Sequence, residues 1–300
     1  MEVRVNEITK NDLIRLQTDA LWLPARPLRD EKALSFAELV ERSKKSESRG
    51  KKLTPQAIRS WFNLLSGCFS WAVGADFMDR NPTTGIKPRT SSRPSLQRLP
   101  FSTTDISAIF NPSAYPDISQ GSKYWLPLLA LFTGARLNEL GQLYKTDIEI
   151  GQFPFIRISD QNILDGYPKR LKNFSSNRTI PIHPKLIEYG LLEYVSSRPG
   201  VFIFDDLPHN GEYEPTKAYS QHFGRYLRKV GISEYQKVFH SFRHTFKAEC
   251  RLRGIEEEVH DALTGHRNSS KQVSRSYGGE IPVEVLQSAV SKLYISTQIL

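Results

Sequence analysis

Between Lys87 and Arg98 the chain is a run of Arg, Ser and Pro in which Leu96 is the single large apolar residue. A segment of this composition has nothing to bury and favours solvated, extended backbone, so it reads as an interdomain linker. No single hydrophobic core can run across it. The chain therefore divides into residues 1–86, a linker over 87–100 and residues 101–300, and each flanking piece must find its own core. With 300 residues, 39% of them hydrophobic, both have the material to do so.

In the first piece, Ile58, Trp61, Phe62, Leu65, Phe69 and Val73 recur at three- and four-residue steps, which predicts an amphipathic helix over about 54–75. Thr54 followed by Pro55 supplies a cap and a first-turn proline. Weaker patterns predict helices over about 9–20 and 34–43, so this piece is expected to be a small all-helical domain. Lys44, Lys45, Arg49, Lys51 and Lys52 form a basic loop between the last two helices. Such a loop is either simply solvated or meets the phosphates of a polyanion, with a strongly salt-dependent affinity. The electrostatic footprint of the chain lies mostly in this first piece. The chain carries a net +9, and through Arg98 it has 18 Lys and Arg against 11 Asp and Glu, leaving a surplus of only 2 for the remainder. A surplus of that kind points to nucleic acid as partner.

The second piece reads as mainly helical with a small sheet. Ser102 or Thr103 can cap a helix over about 104–110, and an apolar helix over about 124–132 stops at Gly134. Residues 147–159 alternate around Gly151 and predict a hairpin, with a further strand over 178–182. Helices are expected over about 185–195, 219–229, 241–253, 256–264 and 282–294. The last has an apolar face of Val283, Leu286, Val290 and Leu293, which can pack on its own domain or on a neighbouring protomer. Two cysteines, Cys68 and Cys250, offer neither a disulfide framework nor a Cys-rich zinc site. No stretch approaches the ~18 apolar residues of a membrane span, and the polar start lacks a secretory core, so a cytoplasmic protein without membrane contact is expected.

Four separated motifs carry chemistry. In Thr133-Gly134-Ala135-Arg136-Leu137-Asn138-Glu139-Leu140 a Gly break precedes a new helix start. Arg136 and Glu139 share a face there and, taken alone, read as a surface ion pair. In His240-Ser241-Phe242-Arg243-His244, with Ser241 as cap, His240 and Arg243 converge at a helix N-terminus, where backbone N–H groups already favour an anion such as phosphate. The third motif is Leu263-Thr264-Gly265-His266 and the fourth Ser276-Tyr277-Gly278-Gly279. His240 and His244 stand four apart, but they lack the His-Glu-x-x-His form and no Cys pair joins them, which argues against a metal site.

In order and spacing, these motifs resemble the tyrosine recombinases of the phage-integrase family, from about Phe101 to Tyr294. The resemblance implies a helical core-binding domain over residues 1–86, then a mostly helical catalytic domain with a small antiparallel sheet over 101–300, a mainly α (α+β) fold. It implies that Arg136 and Arg243 clamp the phosphate, that His240 and His266 occupy the two histidine positions, and that Tyr277 is the nucleophile. Glu139 orients the site. The family's hairpin lysine matches Lys172 best, with Lys169 close by. Further implications are double-stranded DNA as partner, tetrameric self-association on it, accessory DNA-bending proteins, no cofactor, and a phage or mobile-element origin with nucleoid association in a bacterial host. An amino-terminal arm-binding domain, common in phage integrases, is not expected within this sequence, which reads equally as a naturally short member of the family or as a trimmed one. Two rivals share parts of the pattern: a type IB topoisomerase, which relaxes supercoils by the same chemistry, and a non-catalytic DNA-binding relative.

Overall fold

The computed structural model describes residues 4–45, 51–87, 98–161, 169–171, 176–209, 215–266 and 281–297. The chain falls into two compact units, Met1–Leu96 and Gln97–Leu300.

The first unit is built on α1 (Lys10–Ala20), α2 (Phe36–Lys45) and α3 (Pro55–Gly74). Thr54 caps α3 by accepting from the Ala57 N–H at 3.2 Å, and Pro55 fills the first turn, where no N–H is required. The inward stripe of α3 is Ile58, Phe62, Phe69 and Ala72, packed with Leu13, Ala20, Leu23, Val40 and Met78. Each Leu, Ile, Val, Phe or Met side chain so removed from water contributes roughly 1.5–3 kcal/mol, and the two alanines less. Trp61 departs from the expected face and stays 45% exposed, because its position lies one step around the helix from the buried row.

The second unit is organised around α5 (Ser122–Thr133), whose Trp125, Leu126, Leu128, Leu129, Ala130, Leu131 and Phe132 are all buried. A helix apolar all round must be enclosed. Before it lies α4 (Thr103–Ile109), capped by Ser102, which accepts from the Asp105 N–H. After it comes the short α6 (Leu137–Gly141) and then an antiparallel sheet of β1 (Ile148–Glu149), β2 (Phe155–Ile158) and β3 (Arg178–Pro181), in that spatial order. Ile156 pairs Ile180 and Ile158 pairs Arg178. The predicted helix over 185–195 is instead two, α7 (Pro184–Glu188) and α8 (Leu191–Ser197), because Gly190 between them takes left-handed backbone and interrupts the run.

Next come α9 (Lys217–Lys229), α10 (Ser241–Leu252), which packs along α5, and α11 (Glu257–Thr264). The last helix, α12 (Val283–Ser291), lies against β3 and α11 and buries Leu286, Ala289 and Val290, with Leu293 following. It packs on its own unit. His183 Nε2 meets the Leu293 carbonyl at 3.1 Å and secures the far end of that segment. Among the described residues, no helix is long and apolar enough to cross a membrane.

Candidate active site

The site grows from a constriction where α5 ends. Gly134 has φ +63°, and a Cβ there would stand 2.6 Å from the Phe246 ring and 3.0 Å from Thr264 Cγ2. Only glycine fits both the backbone and the space. The chain then turns through Ala135 into Arg136, the N-cap of α6. Glu139, three residues on, accepts the Arg136 backbone N–H at 2.9 Å and the Arg136 Nη1 at 2.5 Å. This is no surface pair, because the Glu139 side chain is 3% exposed.

Arg243 arrives from the first turn of α10 and donates Nη1 to the Gly134 carbonyl at 2.8 Å, two residues from Arg136. That turn starts at His240, the N-cap, which is exposed and whose ring stands 5.2 Å from that of His244. Ser241 is not the cap that its composition suggests. Its hydroxyl accepts from the Val238 N–H, in the turn before the helix, leaving the capping position to His240. His266 follows Gly265 at the end of α11, with its backbone N–H on the Asp261 carbonyl at 3.0 Å. The Asp261 carboxylate takes the Lys247 ammonium at 2.9 Å, tying α11 to α10.

Arg178 belongs to none of the four motifs, yet it lies at the heart of the site. Its buried guanidinium donates to Glu139 Oε2, to the Ser176 carbonyl and to the Leu263 carbonyl, each at 2.8 Å. The Ser176 hydroxyl in turn accepts from Arg136 Nη1 at 3.2 Å. A signal for it does exist: Ile180 and Ile182 lie inward along the strand, and period-two alternation puts Arg178 on that same face, where a charge is out of place without partners.

The electrostatics are lopsided. Arg136, Arg178 and Arg243 gather around one carboxylate, Glu139, so the region carries excess positive charge. Burial, with the neighbouring Arg136 and Arg178, pulls the Arg243 guanidinium down to about 9, still protonated at neutral pH. Burial works against the ionised form of Glu139, yet Arg178 and then Arg136 hold its carboxyl below the usual range. Burial first, then Lys247, Arg243 and Arg136, lower His266 against the pull of Asp261, which leaves its imidazole neutral at pH 7. Such a site favours a bound anion, because an oxyanion would accept from the guanidiniums and offset their mutual repulsion.

Of the residues singled out in the sequence, the fold brings Arg136, Glu139, Arg243 and His266 together, with His240 at the head of the same helix as Arg243. Lys172 and Tyr277 lie outside the described residues. Lys169, the neighbour of Lys172, is buried against Asp147 at 2.5 Å and over the Tyr144 ring at 4.1 Å, a structural engagement. In the basic loop, Lys44 pairs with Asp19 and Glu41, and Lys52 lies over Trp22 at 4.0 Å. Lys45 and Lys51 are exposed, and Arg49 is outside the described residues. Among the described residues no cluster of His, Cys, Asp or Glu is arranged to hold a metal ion.

No protein-family model and no characterised protein matches the sequence. By structure, the chain is similar to the integrase of transposon Tn1549 in complex with circular intermediate DNA, with a TM-score of 0.59 and 17% identity over 95% of this chain and 86% of that one. It is similar to a lambda integrase dimer bound to a COC′ core site, at 0.56 and 14% over 94% and 85%. A lambda integrase tetramer bound to a Holliday junction matches at 0.54 and 16% over 89% and 66%. The chain has the fold of these phage and transposon integrases, proteins of the tyrosine recombinase type.

Proposed function

We propose that this chain is a site-specific DNA recombinase that cuts and rejoins strands through a covalent 3′-phosphotyrosyl intermediate on Tyr277. The observation that carries the reading is the convergence of Arg136 and Arg243, from helices distant in sequence, at one end of α5. Arg243 bonds the carbonyl of Gly134, and the Arg136 guanidinium is near enough to repel its charge. Two guanidiniums so disposed can share the non-bridging oxygens of one phosphodiester and stabilise the charge that accumulates on phosphorus in the transition state.

The chemistry follows from what a phosphodiester requires. The Tyr277 phenol, with an ordinary pKa near 10, gives its proton to His240, and its oxygen bonds to phosphorus. The bond from phosphorus to the DNA 5′-oxygen breaks, and Lys172 delivers a proton to that leaving oxygen. The phosphotyrosyl bond conserves the diester, so a 5′-hydroxyl from another strand reverses the step without any outside energy source. Neutral His266 hydrogen-bonds the phosphate rather than adding another charge. The basic loop of the first unit, with Lys45 and Lys51, contacts the DNA backbone, and copies of the chain assemble as a tetramer on DNA.

A nicked suicide substrate, whose cleaved end diffuses away, tests the reading. The wild-type chain accumulates a covalent protein–DNA species, and Tyr277→Phe binds the same DNA without forming it. An adduct on the Phe variant would overturn the assignment.

A further inference from the structure

The guanidinium of Arg178 spends its N–H groups inside the protein. Nε goes to the carbonyl of Leu263 in α11, Nη1 to the carbonyl of Ser176, and Nη2 to the carboxylate of Glu139 in α6. With the bonds from Arg136 Nη1 to Glu139 and to the Ser176 hydroxyl, these contacts close a ring of four residues, Arg136, Glu139, Arg178 and Ser176. Arg136 is thus held by two acceptors, and Arg178 fixes both of them. The same side chain reaches the end of α11, just before Gly265 and His266. A Cβ on Gly265 would stand 3.0 Å from Arg178 Nη1, so the bare glycine is what lets the guanidinium lie against that turn.

From this geometry we infer that Arg178 is a positioning residue of the strand-transfer site, setting the orientation of Arg136 through Glu139 and Ser176 while clipping β3 to the segment that carries His266. The inference rests on the recombinase reading above. Arg178 itself does not meet DNA: its side chain is 6% exposed and its donors are directed at protein acceptors. Lysine cannot replace it. An ammonium is a single point of charge, whereas the three acceptors lie around a planar fork. Glu139 links geometry to charge, since the groups facing it are Arg136 from its own helix start, Arg178 from β3 and, further off, Arg243 from α10.

The test compares Arg178→Lys and Arg178→Gln with the wild-type chain on the suicide substrate, measuring adduct formation rate and DNA affinity separately. Arg178→Lys keeps the charge and loses the fork, so the cleavage rate falls by about 10- to 100-fold while DNA affinity changes by less than about threefold. Arg178→Gln removes the charge that keeps Glu139 ionised. Its cleavage then acquires an acid limb at higher pH than in wild type, because activity needs the carboxylate and is lost as pH falls through its raised pKa. If Arg178→Gln does not fold, Arg178→Lys decides alone. Arg178→Lys cleaving at the wild-type rate, or losing rate only in proportion to its unfolded fraction, overturns the inference. Absence of any adduct with the wild-type chain would instead overturn the recombinase reading, so the two failures are distinct.

Discussion

Replacing Gly134 with Ala probes the point where α5, α10 and the site meet. Two costs are readable from the structure. An L-residue at φ +63° loses about 1–2 kcal/mol. The new methyl also stands 2.6 and 2.9 Å from ring atoms of Phe246 and 3.0 Å from Thr264, both fully buried, so neither can swing into solvent. Overpacking of that kind costs about 1–3 kcal/mol, for a total of roughly 2–5 kcal/mol. Gly231→Ala is the internal control, because φ there is +88° and nothing lies within 4 Å, so only the backbone cost of about 1–2 kcal/mol remains. Urea titration followed by tryptophan fluorescence measures the difference, in a background carrying W22F, W61F and W71F. That leaves Trp125, buried in α5, as reporter for the second unit. The Gly134 carbonyl also holds Arg243, so the folded fraction of Gly134→Ala should cleave the nicked substrate up to about 100-fold more slowly. Equal destabilisation by the two substitutions would refute the packing argument, and an unchanged cleavage rate would refute the link to Arg243.

Acid should weaken the fold well before the carboxylates titrate. His183, His209, His222, His244, His260 and His266 are all lowered from the ordinary histidine value, with burial the first cause in each. The unfolded chain therefore takes up protons first as pH drops below about 6.5. The urea midpoint should fall between pH 7.5 and 5.5, and a flat profile would contradict it. Leu286→Ala, in the buried face of α12, should cost about 2–5 kcal/mol in the same titration if that helix is held by its own unit. A loss under about 1 kcal/mol would contradict the packing of Leu286 on that unit, because the lost transfer free energy alone exceeds it. Neutralising Lys45 and Lys51 should lower the slope of log affinity for DNA against log salt by about 0.9 for each phosphate left without a lysine. An unchanged slope would remove this loop from the interface.

Local pattern reaches far into this chain because most of its elements are amphipathic helices with ordinary caps. Thr54, Ser102 and the apolar rows of α3 and α5 are legible from neighbours a few residues away, and so is the stop at Gly134. The failures have equally local causes. The break at Gly190 is hidden inside a run whose apolar spacing suits one helix as well as two. Trp61 fits the inward row by spacing alone, yet lies just past the edge of a three-helix core too small to cover it. Ser241 has a cap's composition, but a preceding turn claims its hydroxyl.

The site divides along a different line. Arg136, Arg243 and His266 are legible only together, because each motif alone is weak and it is their order and spacing along the chain that resemble the tyrosine recombinases. Arg178 satisfies no such motif. Its role depends on the β2 to β3 register, which pairs it with buried Ile158, and on the end of α11, more than eighty residues later in the chain. Nothing within one turn of Arg178 reports either contact. What the strand pattern does report is a conflict, a guanidinium on the same face as Ile180 and Ile182. Burying that charge without partners would cost several kcal/mol, so the conflict itself requires a carboxylate and carbonyls across the fold. Glu139 is the acid that meets the requirement, and an acid held between two arginines is fixed in orientation as well as in charge. A residue that breaks the inward pattern of its strand is therefore a guide to the support of a site, in the same way that a motif is a guide to its reacting groups.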